Sequence, residues 1–365
     1  MGRQLSLVSG PTKIALSGVS PEELRVALPA ITLEEARRVV SQVHRDEDVA
    51  TPHSGIRKVA RELVVAHGEV PALEIVTETP SALDPFLKYA LRTADGHVLE
   101  TVRIPLEVPG RFSVCVSSQV GCALACAFCA TGRMGLTRNL EAWEIVEQVR
   151  IVRRGLARLS VPSRVHGVVF QGMGEPLSNP DRVFAAIRVM QEPSALAIDA
   201  RAITVCTSGV PSGIRRLAEE APKVRLGLSL GSARREVRRE LMPIERANPL
   251  DEVIDAAAFH VEKTGLAPMW AVTLLEGVND TEADAAALAD LVLAFRARTG
   301  ASPRISVIPY NAISEGEDDP FRRTTDTREE AFREVLRARN VFTKKRYSGG
   351  SDVAAACGQL AARHT

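Results

Sequence analysis

Cys122, Cys126 and Cys129 stand within one short run, Gly121-Cys-Ala-Leu-Ala-Cys-Ala-Phe-Cys-Ala-Thr-Gly132. Closely spaced thiolates are metal ligands before they are anything else. A tetrahedral zinc site takes four protein ligands, usually as two close pairs. Here the gaps are three and two residues, and no fourth Cys or His stands nearby. Three thiolates on one loop suit a four-iron cluster with one iron left open, and an iron without a protein ligand is where a small molecule binds and is reduced. Zinc binding and plain thiols stay open beside this reading.

Gly172-Met-Gly-Glu-Pro176 has the composition of a turn. Facing a cluster it gains a second use. Gly174 lets the polar end of a ligand approach the backbone, and Glu175 can accept hydrogen bonds from an ammonium group. That suits the amino-acid end of S-adenosylmethionine, whose amine and carboxylate chelate an open iron. Ser229 and Asn311 are candidates for hydrogen bonds to the adenosine or carboxylate, and strand-end caps otherwise. Three cysteines remain: Cys115, Cys206 and Cys357. A lone buried cysteine is most often inert core. Cys357, however, follows Ser348-Gly-Gly-Ser351, and paired glycines would let the tail fold over a rim. A thiol on such a tail, above an activated sulfonium, is a candidate nucleophile.

These residues need elements to position them. Two capping boxes, at Ser20-Pro-Glu-Glu23 and Thr32-Leu-Glu-Glu35, open helices in a mostly helical N-terminal unit. A third helix is expected over 55–67. Residues 86–104 alternate around Asp95-Gly96 and read as a β-hairpin. From there the pattern is strand, loop, helix, repeated. Apolar runs at 112–116, 167–170, 202–205, 224–230, 270–275 and 305–309 are separated by helical stretches at 141–158, 180–191, 212–220, 250–263, 282–299 and 326–340. Six such units imply an α/β fold with a parallel sheet and right-handed crossovers. They fall short of a closed eightfold barrel, so a partial (β/α)6 TIM-like barrel is expected. The expected divisions are 1–85 (helical accessory), 86–110 (hairpin extension), 111–340 (barrel) and 341–365 (C-terminal strand and tail). Chemistry in such barrels sits on the loops after the strands. The cysteine loop, 171–176, 206–209, 229–232, 275–280 and 310–311 all fall there, on one rim.

The bulk properties agree with an ordinary soluble globular chain: 365 residues, 45% hydrophobic, 25% charged, net charge +1. No whole-molecule field attracts nucleic acid. The runs Arg150/Arg153/Arg154/Arg158, Arg234/Arg235/Arg238/Arg239 and Lys344/Lys345/Arg346 are expected to be solvated faces. No apolar run approaches a membrane span, and the first residues lack a signal peptide's apolar core. Met1–Ser6 fits the loose myristoylation pattern with no other support. Six cysteines do not make a disulfide scaffold. A reducing cytoplasm is the expected compartment, and it suits an oxygen-sensitive cluster.

Val116-Ser-Ser-Gln-Val-Gly-Cys122 through Cys129-Ala-Thr-Gly132, Arg138-Asn-Leu140, Gly172–Pro176, Thr207-Ser-Gly209 and Ala356-Cys-Gly-Gln-Leu360 together resemble the RlmN/Cfr-type radical-SAM RNA methyltransferases. The likeness runs from about residue 87 to 360. Cys115 paired with the C-terminal Ala-Cys-Gly-Gln-Leu is particular to that branch. The resemblance implies a radical-SAM barrel, a [4Fe-4S] cluster on Cys122, Cys126 and Cys129, and S-adenosylmethionine contacts from Gly174, Glu175, Cys206, Ser229, Leu230, Gly231 and Asn311. It further implies that Cys357 becomes S-methylated, that Glu100 accepts a proton, and that Cys115 resolves the adduct through a transient disulfide with Cys357. The substrate it implies is an adenine ring carbon of 23S ribosomal RNA, transfer RNA or both, with an electron donor such as flavodoxin and a monomeric enzyme. The chain departs from the family pattern at Gly231 (usually His), Cys206 (often Ser) and Gly349 (Arg in the carbon-2 branch), and 312–320 is acidic where RNA would pass. Two other functions fit the same residues: radical-SAM methyl transfer to a different substrate, and a metal-stabilised RNA-binding protein without catalysis. The last predicts a fourth protein ligand and no convergence of Glu100, Cys115 and Cys357.

Overall fold

The computed structural model describes residues 13–313, 319–345 and 349–361. The Met1–Ser6 pattern, Arg346, Ser348 and residues 314–318 of the acidic stretch lie outside them.

The N-terminal unit is three helices, α1 (Pro21–Ala27), α2 (Leu33–His44) and α3 (Lys58–His67), closed by strands β1 (Ile14–Ala15) and β2 (Gly68–Glu69). Both capping boxes form: Ser20 Oγ accepts from Glu23 N–H and Thr32 Oγ1 from Glu35 N–H, while each glutamate accepts the cap residue's own N–H. Each cap contributes about 1 kcal/mol. The helices bury their own apolar cluster, Leu16, Leu24, Val39, Val40, Val43 and Val64 among it.

One ten-stranded sheet carries the rest. The strands β3 (Glu74–Pro80), β4 (Leu87–Arg92) and β5 (Val98–Pro105) are antiparallel, and β5 pairs antiparallel with β6 (Arg111–Val116). The expected hairpin is therefore a three-stranded extension of the main sheet. A small hairpin, β7 (Gln119–Cys122) and β8 (Gly135–Asn139), with the short helix α4 (Ala130–Arg133) between its strands, follows β6. Next come α5 (Ala142–Ala157), β9 (Arg164–Phe170), α6 (Pro180–Gln191), β10 (Ile203–Thr207), α7 (Pro211–Glu220), β11 (Arg225–Ser229), α8 (Arg235–Leu241), α9 (Leu250–Thr264), β12 (Met269–Leu274), α10 (Glu282–Thr299), β13 (Arg304–Pro309), α11 (Asp326–Ala338) and β14 (Thr343–Lys345).

The sheet order is β14-β13-β12-β11-β10-β9-β6-β5-β4-β3. Neighbours from β6 through β14 are parallel, and among the described residues the two ends of the sheet do not pair with each other. The expected open barrel is what forms. Its strands are largely buried, and one continuous core joins them to α5, α6, α9 and α10.

Two of the arginine runs are not solvated faces throughout. Arg150 is 3% exposed, pairing with Glu147 at 2.8 Å and Asp46 at 2.7 Å, and so ties α5 to the end of α2. Arg238 is fully buried against Glu245 at 2.9 Å and also donates to the carbonyls of Ser208 and Leu230. In both cases buried carboxylate and carbonyl oxygens satisfy a guanidinium that composition alone reads as surface. Asp319, from the acidic stretch, is likewise buried, accepting from Tyr310 O–H and Ile313 N–H.

Candidate active site

The site is built where β6 and β9 end and the antiparallel β5 begins. Ser117 is its rivet: its N–H donates to Gln148 Oε1 (2.7 Å), its hydroxyl donates to the Glu100 carbonyl (2.6 Å), and its oxygen accepts from Met173 N–H (2.9 Å). Gln119 continues the stitching by accepting from Glu175 N–H at 2.8 Å. Strands β7 and β8 then hold both ends of the cysteine loop, with Cys122 opposite Gly135. Inside the loop Cys129 N–H donates to the Cys126 carbonyl (3.1 Å), and Ala127 N–H reaches the Leu241 carbonyl of α8 (2.9 Å).

All three loop cysteines line one cavity at the mouth of the barrel. Burial pushes the Cys122 thiol up to about 11 and raises Cys126 and Cys129 as well. Thiols in such surroundings become thiolates only when a cation supplies the compensating charge. Among the described residues no group of three or more His, Cys, Asp or Glu side chains is arranged to hold a single metal ion. Three cysteines of one loop on a common cavity wall fit the donor set of an iron–sulfur cage that leaves one iron open.

On the same cavity, beside Cys122, stands Glu175, 3% exposed. Its carboxylate accepts from Leu177 N–H (3.0 Å) and Ser208 N–H (2.8 Å). Burial nevertheless pushes it up to about 7, outweighing those donors. Gly174 has φ +96°, and a Cβ there would meet Gln119 Cβ at 2.6 Å, so glycine is required beside Glu175. Ser229, Gly231 and Cys206 also line the cavity. The departure at Gly231 has a local cause: φ is +68° and Met242 Sδ stands 2.5 Å from where a Cβ would be. Methionine fills the place of a larger side chain. Leu230 does not face the cavity; it is fully buried, and its N–H donates to the Ala271 carbonyl. Asn311 is turned to the tail, where its amide donates to the Cys357 carbonyl at 3.2 Å.

The tail does fold over the rim. Ala130 N–H donates to the Gly358 carbonyl (2.8 Å), Thr131 Oγ1 to the Leu360 carbonyl (2.5 Å), and Gln359 Nε2 to the Ala312 carbonyl (2.9 Å). Cys357 thereby lines the cluster-loop cavity and also a second cavity, whose walls include Cys115 and Gly349. Glu100 lines neither. It lies 1% exposed beneath the tail, with Lys88 Nζ 3.0 Å from Oε1 and Ala361 N–H 2.8 Å from Oε2. The expected Cys115–Cys357 disulfide is not formed, since all six cysteines are thiols. The pair shares a cavity in the reduced form that an acceptor thiol needs. Gln171, from the rim segment 171–176, and Thr131, from the cysteine loop, line both cavities beside Cys357; the sequence places them on the rim without giving either a role.

Residues 116–286 match the model of the Radical SAM superfamily. A probable RNA methyltransferase of Sorangium cellulosum is 59% identical over 93% of this chain and 90% of its own length. The dual-specificity RNA methyltransferase RlmN of Desulfotalea psychrophila is 36% identical over 99% of both chains. The chain belongs to the RlmN-type radical-SAM RNA methyltransferases. The crystal structure of a radical SAM methyltransferase from Sphaerobacter thermophilus agrees, with 35% identity over 96% of this chain and 100% of that one and a TM-score of 0.84. As a member of this family the enzyme uses a [4Fe-4S] cluster and S-adenosylmethionine. Among the described residues no helix is long and apolar enough to cross a membrane.

Proposed function

We propose that this RlmN-type enzyme methylates a ring carbon of adenine in RNA by way of S-methylated Cys357. The observation that carries the reading is the position of Cys357, on the common wall of the cluster-loop cavity and the Cys115 cavity. A thiol there is reachable from the cofactor on one side and from a resolving thiol on the other. An adenine ring carbon is electrophilic and cannot attack the methyl cation of S-adenosylmethionine directly, so the carbon must first be parked on the protein.

Cys122, Cys126 and Cys129 would hold the cluster, with Glu175, Gly174, Ser229, Gly231 and Cys206 around the S-adenosylmethionine. When bound, these cofactors supply the 5′-deoxyadenosyl radical that removes hydrogen from the S-methyl group. The chain's own residues do the rest. Cys357 Sγ takes the methyl and presents it to the base. Glu100 receives the proton that leaves the ring carbon. Cys115 Sγ, as a thiolate, then attacks Cys357 Sγ. The sulfur–carbon bonding pair passes to the transferred carbon, which takes up a proton to become the methyl group. The odd electron left by radical addition would go to a one-electron acceptor such as the oxidised cluster, and the Cys115–Cys357 disulfide is reduced by an external dithiol. Asn311, also expected at the cofactor, holds the tail through the Cys357 carbonyl. A flavodoxin-class one-electron donor, a cytoplasmic setting and action as a monomer complete the proposal. The helical unit of 1–85 would serve as an RNA-docking surface.

Glu175→Gln removes the charge facing the cofactor's ammonium group. It should weaken S-adenosylmethionine binding by roughly ten- to a hundredfold, the worth of about 1.5–3 kcal/mol for a hydrogen bond to a charged group. Calorimetric titration of the cluster-loaded enzyme measures this. Unchanged affinity would confine Glu175 to closing the Leu177–Ser208 turn.

The function itself is tested by incubating reduced, cluster-loaded protein with S-adenosylmethionine and either protein-free 23S ribosomal RNA or a transfer RNA transcript. Nucleoside mass spectrometry should find adenosine methylated on a ring carbon in at least one of the two. Methylation only on a ring nitrogen or a ribose oxygen, or of neither RNA, would refute the proposal.

A further inference from the structure

Lys88 lies in β4 and is 7% exposed; Glu100 lies in β5 and is 1% exposed. Lys88 stands opposite Val102 and Glu100 opposite Ala90, so the two are diagonal neighbours on one face of the antiparallel pair. Their ion pair, at 3.0 Å, is buried on both sides. Val102 and Ala90 share its face of the strands, while Leu87, Tyr89, Leu91 and Leu99 alternate onto the other face and join the main core. Packing alone does not call for this pair, because a buried ion pair is commonly no more stabilising than apolar side chains of similar volume. A buried carboxylate without a counter-ion, however, neutralises itself by binding a proton. A carboxyl already protonated cannot receive another.

We infer that Lys88 is the positioning residue and counter-ion that keeps Glu100 competent to accept a proton in the second half of the reaction. This rests on the assignment of Glu100 as the proton acceptor. Donors that fix the residue include Lys88 Nζ on Oε1, Ala361 N–H on Oε2, and the Ser117 hydroxyl on the backbone carbonyl. The second comes from the tail that carries Cys357. The carboxylate is therefore oriented between a strand-borne cation and the closed tail, and a carboxylate's two oxygens offer about four acceptor positions in all. Lys88 lies outside both cavities and touches neither cofactor nor substrate. It acts through Glu100.

The test separates the two half-reactions in the full-length, cluster-loaded enzyme. Methylation of Cys357 is read by peptide mass spectrometry, and methylated adenosine is read in a single turnover on the RNA that serves as substrate. Lys88→Met should leave Cys357 methylation intact and slow product formation on the order of 10²-fold, the lower range for losing a general base. Lys88→Arg should restore most of that rate. Glu100→Gln should share the defect, and the double variant should be no worse than Glu100→Gln, as expected for residues acting as one unit. Product formation by Lys88→Met at the wild-type rate, with Glu100→Gln defective, overturns the inference and leaves the Glu100 assignment standing. A wild-type rate for Glu100→Gln overturns that assignment instead. Loss of both half-reactions in Lys88→Met, without rescue by arginine, makes Lys88 a structural residue only and also overturns the inference. Lys88→Gln carries the same comparison should the methionine variant fail to take up iron.

Discussion

Replacing Cys126 with alanine is expected to remove iron loading and RNA methylation together, each to the background of its assay. Cys126 is 8% exposed, and burial holds its thiol well above the ordinary range. Such a sulfur contributes to a metal site only as a thiolate, so the cluster must displace its proton. With three protein ligands on an open cage, losing one leaves two, and Cys206 and Cys357, which line the same cavity, stand on other elements and do not restore the spacing of the loop. The consequence should reach the tail. Ala130 and Thr131, immediately after Cys129, hold the carbonyls of Gly358 and Leu360. Amide exchange around 355–361 should therefore quicken in Cys126→Ala. Cys206→Ala, by contrast, should keep its iron, because Cys206 sits on the far wall beside Gln171, 3.9 Å from its Oε1. Wild-type iron content in Cys126→Ala, measured by absorption and metal analysis, would remove the cluster from this loop.

The second large effect divides two cysteines that share a cavity. Cys357→Ala should yield neither methylated protein nor methylated RNA, since the carbon has nowhere to be carried. Cys115→Ala should still methylate Cys357 but release no RNA product, leaving nucleotide bound to the tail through the transferred carbon. Cys115 is well placed for resolution alone. It lies on β6 below the tail, and Thr101 Oγ1 fixes its carbonyl at 2.6 Å. If both variants behaved alike, with no methyl on Cys357 in Cys115→Ala, the division of labour would be wrong. Gel mobility and mass of the protein after incubation with RNA distinguish the outcomes.

Much of the barrel is readable in the chain because its strands and helices differ in period and length. Runs such as Arg225–Ser229 and Met269–Leu274 are short and largely buried, while Glu282–Thr299 is long and begins with a capped Thr281. What stays hidden is set by tertiary partners. Strand β3, Glu-Ile-Val-Thr-Glu-Thr-Pro, is a mostly solvated edge with no alternating apolar face. It exists because β4 offers it a ladder. Helix α8 is seven residues with three arginines and reads as surface until Glu245 meets Arg238 in the interior. The hairpin of β7 and β8 encloses the cysteine loop, and the spacing of the cysteines masks the strands on either side.

The site divides in the same way. The three loop cysteines are legible because one short segment carries them all, so spacing implies convergence. Cys357 and Cys115 are 242 positions apart, a separation simply counted from their numbers, and only the family's C-terminal motif linked them. Asn311 was legible as a strand-end residue, yet its direction was not, because its partner is the Cys357 carbonyl on the tail. Lys88 left no mark at all. Its meaning comes from a diagonal across two strands, which sequence shows only once the register is known.

Peptide mass spectrometry of Cys357, in Cys115→Ala protein supplied with iron, reductant and S-adenosylmethionine, bears most directly on the whole account. A methyl group on that sulfur, converted to a nucleotide adduct when RNA is added, is the predicted result. An unmodified Cys357 thiol in protein with a full complement of iron would contradict it.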